Sequence, residues 1–207
     1  MQSDLESEIQ FARQHNIGDI LRRSAMRFPD KTAIICGQTE WTYKAFDTAC
    51  NQLARHLLAR GISAGDKIAV IARNSHGFAA IRFAIARIGA VLVPINFMLN
   101  ANEVRYILNS SRSKMLALGP EFIDIGLKAI SKGTDVKITL GLPSEHQSSS
   151  LKTDLRFEGL LTGDATAPEI HLDDRSLAQI VYTSGTEAMP KGAMPVSYTH
   201  LTLPTRS

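Results

Sequence analysis

The sequence predicts an α/β fold in which helices layer onto a mostly parallel sheet. From residue 16 to about 140, short β-prone apolar runs alternate with segments whose apolar residues recur every three or four positions, the pattern of βα units feeding a parallel sheet. Proline or glycine closes the first of these helical segments, at Pro29, Gly61 and Gly89, as helix stops do. Composition agrees. Of the 207 residues 44% are hydrophobic and 21% charged, ordinary values for a globular chain long enough to bury a sizeable core as one large domain or two small ones. A disordered chain, a collagen and a disulfide-dense miniprotein are excluded.

Asn16 to Asp19 supplies a cap and an early acid for a helix whose apolar side is Ile20, Leu21, Ala25 and Phe28, with Pro29 ending it. Thr32 to Cys36 predicts a strand, Gly37-Gln38 a turn and Trp41 to Tyr43 a second extended piece. A long helix follows Thr42, because Phe46, Ala49, Cys50, Leu53 and Leu57 share one side before Gly61. The next unit is a strand over Lys67 to Ala72, a helix capped by Asn74 with Phe78, Ile81, Ile85 and Ile88 on one face, and a strand over Ala90 to Val93.

Asn100 to Glu103 is a capping-box pattern ahead of Val104, Ile107 and Leu108, and Met115 to Leu118 reads as a buried strand. A weaker helix over Glu121 to Ile130 and a strand near Val136 to Leu140 complete the alternation. Parallel strands are therefore expected near residues 33, 68, 91, 116 and 137. Residues 143–175, rich in serine, glycine and scattered charge, predict a surface excursion with little core, and order returns as a strand over Ser176 to Thr183.

Charge and cysteine usage narrow the function classes. Twenty-three Lys and Arg against 20 Asp and Glu leave a net charge of +3, spread along the chain, so no nucleic-acid partner is expected. Cys36 and Cys50 have neither disulfide nor zinc spacing and are expected to be buried free thiols. His15, His56, His76, His146 and His171 lack metal or triad spacing and are expected at the surface. Arg82 and Arg87 are expected to snorkel from a helix edge, and Trp41 to pack. The acidic N-terminus lacks the features of a secretory signal, and the most apolar stretch, Phe78 to Ile95, is broken by Arg82, Arg87 and Pro94; the reading is a cytoplasmic protein without a transmembrane segment.

One segment has the composition of a phosphate site: Tyr182-Thr183-Ser184-Gly185-Thr186-Glu187-Ala188-Met189-Pro190-Lys191-Gly192. Small hydroxyl residues and glycine let main-chain N–H groups converge on an anion, and a lysine adds mobile positive charge. The order is not Walker A, since Pro190 precedes Lys191 and Gly192 follows it. A glycine turn with a solvated lysine uses the same residues.

Thr-Ser-Gly-Thr followed by Pro-Lys-Gly-Ala resembles the phosphate loop of the adenylate-forming (AMP-binding) superfamily, which includes acyl-CoA synthetases, luciferases and peptide adenylation domains. Trp41-Thr42-Tyr43, Gly61 to Asp66, Asn74, Gly89 to Val91, Pro94 to Asn96 and Glu103 with Ile107-Leu108 are similar to successive landmarks of that family's N-terminal region. The resemblance spans residues 16 to 194. Two places depart from it. Glu187-Ala188 stands where many members have Thr-Gly or Ser-Gly; a glutamate beside triphosphate could act through a magnesium ion or turn outward, and the outward role is the favoured one, since a carboxylate facing phosphate costs Coulomb energy. Residues 195–207 lack the expected continuation and look like read-through of a sequencing adaptor, a non-native tail.

The resemblance implies an N-terminal extension over residues 1–15 and, over residues 16–194, the N-terminal part of a truncated adenylate-forming large domain. It implies ATP and Mg2+ as cofactors, coenzyme A as co-substrate and a small-molecule carboxylate as substrate. Transferred residue by residue, Thr183, Ser184, Gly185 and Thr186 would hold the β and γ phosphates, Lys191 would add charge there, and Gly192 would permit close approach. The family's adenine-stacking and magnesium-binding motif, ribose-binding Asp and C-terminal adenylation Lys would lie downstream, so no catalytic or metal-binding residue is assigned and the chain alone is expected to be inactive. An independent α/β phosphate-binding module and a noncatalytic interaction protein are the other readings.

Overall fold

A computed structural model of the chain describes residues 17–170, 172, 176–183 and 191–193. Helix α1, Ile17–Arg27, leads to a hairpin of β1, Thr32–Cys36, and β2, Thr39–Thr42, and then to α2, Tyr43–Ala59. The βα units follow as β3, Lys67–Ile71; α3, His76–Arg87; β4, Val91–Pro94; α4, Ala101–Ser111; β5, Met115–Leu118; α5, Ile123–Ile130; and β6, Ile138–Gly141. A short strand β7, Leu155–Arg156, and the pair β8, Val181–Thr183, and β9, Lys191–Ala193, complete the order.

The central sheet has the order β4-β3-β5-β6-β7 and every pairing in it is parallel. Strand side chains alternate between its faces. On one face Ile68, Val70, Leu92, Met115 and Ala117 pack with the buried residues of α2 and α3. On the other, Ala69, Ile71, Val91, Val93, Leu116 and Leu118 pack with Val104, Ile107 and Leu108 of α4 and with α5. The result is three layers with the sheet in the middle. Strands buried on both faces explain why these runs are continuously apolar.

Local chemistry fixes the helix starts. The Thr42 hydroxyl accepts from the Ala45 N–H at 3.2 Å, and Ser75 accepts from the Phe78 N–H at 3.1 Å, so Ser75 and not Asn74 is the cap of α3. At α4 the capping box forms: the Asn100 side chain accepts from the Asn102 and Glu103 N–H groups, and Glu103 accepts from the Asn100 N–H at 2.8 Å. Such a cap is worth about 1 kcal/mol.

Several expectations need correction. The strand near residue 33 is real, but it pairs antiparallel with β2 in a separate two-stranded sheet, because a tight turn at Gly37, with φ of +57°, folds it back before any crossover can form. Residues 143–175 contribute to the core: Phe157 and Leu160 are buried in the first cluster, and β7 extends the sheet. Arg55 donates to the Thr166 carbonyl at 2.8 Å, holding this excursion against α2. In α1 only Leu21 of the expected apolar side is fully buried, whereas Ile20 and Phe28 are exposed, since α1 packs against α2 and α3 along one line.

Arg87 does not snorkel. Its guanidinium pairs with Asp47 and Asn51 and donates to the Asp47 carbonyl at 3.0 Å, with 8% of the side chain exposed. His76 is not at the surface either; its ring meets Trp41 edge-on at 5.2 Å and Phe157 at 5.8 Å. Cys50 is buried, which pushes its thiol far above the ordinary range, and Cys36 is half-buried. Among the described residues no helix is long and apolar enough to cross a membrane.

Candidate functional site

The glycine–hydroxyl–lysine segment is delivered by a strand that joins the edge of the central sheet. Gln179 bridges to Leu92 of β4 in parallel. The Leu92 N–H donates to the Ala178 carbonyl at 3.0 Å and the Ile180 N–H donates to the Leu92 carbonyl at 2.8 Å. The chain therefore runs in the direction of β4 and reaches the carboxyl end of the sheet as it enters β8. Ligands of open α/β sheets bind beyond that end.

At that point the backbone turns into an antiparallel pair. Val181 faces Ala193, Tyr182 faces Gly192 and Thr183 faces Lys191. The two ends of the motif, Thr183 and Lys191, thus sit directly opposite each other, and residues 184–190 connect them. Ser184, Gly185 and Thr186 lie outside the described residues, as does Glu187. Gly192 is exposed, and a Cβ placed on it would stand 3.1 Å from Ile180 Cγ2 and 3.4 Å from the Tyr182 ring, so a side chain there would push against β8. A glycine keeps this ribbon flush.

Two side chains anchor the ribbon. Ile180 is buried in the second core cluster, and Tyr182, half-buried, packs on the same cluster while its hydroxyl donates to Ser110 Oγ of α4 at 3.0 Å. Ser110 is not among the residues the sequence singles out, and Tyr182 enters there only as the first residue of the motif, without an anchoring role. The alternation of Ile180 and Tyr182 is the only sequence signal, since the Ser110 partner lies 72 residues away.

The strand order reverses between β3 and β5, a second place where an α/β sheet can open a crevice. There the two strand ends run close together: the Gly119 N–H donates to the Ile71 carbonyl at 2.8 Å, and a Cβ on Gly119 would lie 3.2 Å from Ala72. The other place is the β4 edge, where Gln179 bridges to Leu92. Near it Arg73, following β3, lies over the ring of Phe97, following β4, at 5.0 Å, and Phe97 and Met98 are exposed.

Of the segment read from the sequence as a phosphate site, Tyr182, Thr183, Lys191 and Gly192 are described, and they lie on the paired strands of the ribbon. Among the described residues no three His, Cys, Asp or Glu side chains form a metal-ligating group.

A five-stranded parallel sheet between helix layers, with an antiparallel ribbon continuing from the segment that bridges to its β4 edge, defines the chain as a three-layer α/β protein. The profile of the AMP-binding enzyme family matches residues 21–202, and the chain belongs to that family. It is 31% identical over 180 residues to 4-hydroxybutyrate–CoA ligase 2 of Metallosphaera sedula, covering 84% of this chain and 33% of that protein. It is 29% identical over 188 residues to a medium/long-chain-fatty-acid–CoA/3-oxocholest-4-en-26-oate–CoA ligase of Mycobacterium marinum, covering 86% and 34%. The structure superposes on the N-terminal domain of FACL13 from Mycobacterium tuberculosis with a TM-score of 0.77 and 28% identity, over 90% of this chain and 45% of that one. The chain spans about a third of the length of the curated relatives it matches.

Proposed function

We propose that this chain supplies the triphosphate-binding part of an ATP-dependent acyl-CoA synthetase. In that reaction a carboxylate oxygen attacks the α-phosphorus of ATP, the bond to the β-phosphate oxygen breaks, and pyrophosphate leaves an acyl-adenylate. The thiol of coenzyme A then displaces AMP. The observation that carries the reading is the β8–β9 pairing, which sets Thr183 opposite Lys191 at the carboxyl edge of the sheet. The names of the relatives, CoA ligases of hydroxy and fatty acids, support the reaction class.

Within this reading Thr183, Ser184, Gly185 and Thr186 donate to the β and γ phosphates, Lys191 adds positive charge at the same end, and Gly192 leaves room for it. Mg2+ would neutralise charge on the departing pyrophosphate. Preorganised donors on both sides of the reacting phosphorus are needed for catalysis, and the residues assigned here serve only the leaving-group side. The chain by itself is therefore expected to bind polyphosphate without forming acyl-adenylate.

Carboxylate-dependent exchange of labelled pyrophosphate into ATP tests this. No exchange by residues 1–207, together with exchange by the chain joined to the downstream portion of a related ligase, is the expected pair of results. Robust exchange by residues 1–207 alone would contradict the half-site reading. MgATP binding that is indifferent to Lys191→Ala would favour an α/β module that uses other residues.

A further inference from the structure

Away from the β8–β9 ribbon, on the opposite face of the sheet, α1 and α3 enclose a cleft of about 520 Å³. That volume is in the range of small-molecule sites. Its walls are apolar: Ile17 and Ile20 from α1, and Phe78, Ala79 and Phe83 from α3. Arg82 also lines it, and Asn74 and Ser75 lie at the other end, where the Ser75 hydroxyl accepts from the Phe78 N–H at 3.1 Å.

Arg82 has no hydrogen bond or ion pair among the described residues, and it is half-buried. Other arginines of this face are engaged: Arg22 with Asp19 at 3.2 Å, Arg55 with Asp164 at 3.1 Å, and Arg87 with Asp47. Two other arginines without a side-chain partner among the described residues, Arg27 and Arg112, are exposed. A guanidinium set against phenylalanine and isoleucine walls attracts an anion more strongly than one in open water, and its fork matches a carboxylate bidentately. One cation and a long apolar wall select a monoanion with an apolar body; a polyphosphate would find too little charge.

We propose that the α1–α3 cleft binds an alkyl monocarboxylate, with its carboxylate on Arg82 and its chain along Ile17, Ile20, Phe78 and Ala79. This site is separate from the phosphate-binding ribbon and does not depend on the function proposed for it. On a helix, residues 78, 79 and 82 fall on one side, and the arginine side chain leans back toward the helix N-terminus, over Phe78 and Ala79. That register sets Arg82 on the same helix side as Phe78 and Ala79, in the lining of the cleft.

The test is a titration of the full 207-residue chain with dodecanoate labelled at its carboxyl carbon, below the concentration at which it forms micelles, followed by the carboxyl resonance. Saturable binding at one site is expected. Arg82→Gln should weaken it about tenfold or more, Arg82→Lys should recover part of the loss, and Ala79→Trp, which fills the cleft, should weaken it without removing the charge. Dodecanol should bind more weakly than dodecanoate to the parent chain and equally to Arg82→Gln. Circular dichroism of each variant verifies that the fold persists. Absence of saturable binding, equal affinity of the parent and Arg82→Gln, or displacement of dodecanoate by MgATP would each overturn the proposal. So would a self-association of the chain that Ala79→Trp abolishes, because the cleft would then belong to a second copy.

Discussion

The three-layer body and the β8–β9 ribbon are held in place by very different amounts of apolar surface. The body buries complete helix faces: in α2 alone, Phe46, Ala49, Cys50, Leu53, Ala54 and Leu57 are buried, and each large apolar side chain contributes about 1.5 to 3 kcal/mol. The ribbon is fastened by Ile180, the side of Tyr182, one tyrosine hydroxyl and a single bridge to β4. Regions with few buried contacts open at low free-energy cost. The comparison teaches that the body is fixed by burial of whole faces, whereas β8 and β9 rest on a few contacts at the β4 edge of the sheet.

The largest effect should come from the body. Leu53 is fully buried against the first face of the sheet, and Leu53→Ala should lower stability by about 2 to 5 kcal/mol, read as a shift in the denaturant midpoint at unchanged slope. The Arg87–Asp47–Asn51 cluster ties α2 to α3. Asp47→Ala leaves the guanidinium short of an acceptor and should cost about 1.5 to 3 kcal/mol. A variant at either site that left the melting temperature unchanged would show that the helix layer matters less than its burial implies.

Acid should loosen the body in two stages. His76 Nδ1 is buried without a hydrogen-bond partner among the described residues, and burial holds the imidazole below its ordinary value of 6.5, with Glu158 partly opposing the shift. Its neutral form belongs to the folded state. The associated stability is complete above pH 6.5 and is lost progressively as the pH falls from there to the lower native value, where the unfolded chain binds the extra proton. A second loss follows at lower pH. Glu158 and Asp66 are desolvated, which alone would raise them, but Ser149 at the first and Lys114 with Ser63 at the second outweigh burial and hold both below their ordinary 4.5 and 3.8. Urea unfolding between pH 7 and pH 3 measures both stages, and His76→Phe should flatten the upper one alone.

The smallest global effect should come from the ribbon. Tyr182→Phe removes the bond to Ser110 and should change overall stability by no more than about 1 kcal/mol, while amide exchange at Val181 and Gly192 accelerates. Equal acceleration throughout α2 would mean that ribbon and body open as one unit and that the contrast between them is wrong.

What was legible in the sequence follows the same division. Periodicity revealed the helices over 43–59 and 76–87 and the strands at 67 and 115, because burial of whole faces leaves a repeating signature. The Asn100–Glu103 box was legible because it is local chemistry. Pairing was legible only in part: the Gly37-Gln38 turn between two extended pieces is a hairpin signal, but the periodicity of Thr32 to Cys36 is that of any strand and does not separate the hairpin from the parallel sheet. Phe157 and Leu160 stand among serines, glycines and charges, so their burial left no period to detect. At the site, residue type is the ground of the phosphate reading, and the strand that carries the segment to the sheet edge was not legible, since the parallel bridge between Gln179 and Leu92 joins residues 87 positions apart by backbone bonds that any side chain permits. The unpaired state of Arg82 and the pairing of Arg87, five residues later on one helix, were likewise beyond sequence, because they depend on which neighbour offers a carboxylate.

The central claim is that the ribbon recognises the phosphate end of ATP. Isothermal titration of the 207-residue chain with MgATP, tripolyphosphate and AMP, repeated with Lys191→Ala, tests it most directly. MgATP and tripolyphosphate should bind with similar affinity and AMP much more weakly. Lys191→Ala should weaken the first two by about tenfold or more, the equivalent of one charge-assisted contact of about 1.5 to 3 kcal/mol. AMP binding as tight as that of MgATP, or equal MgATP affinity in the parent and Lys191→Ala, would contradict the account.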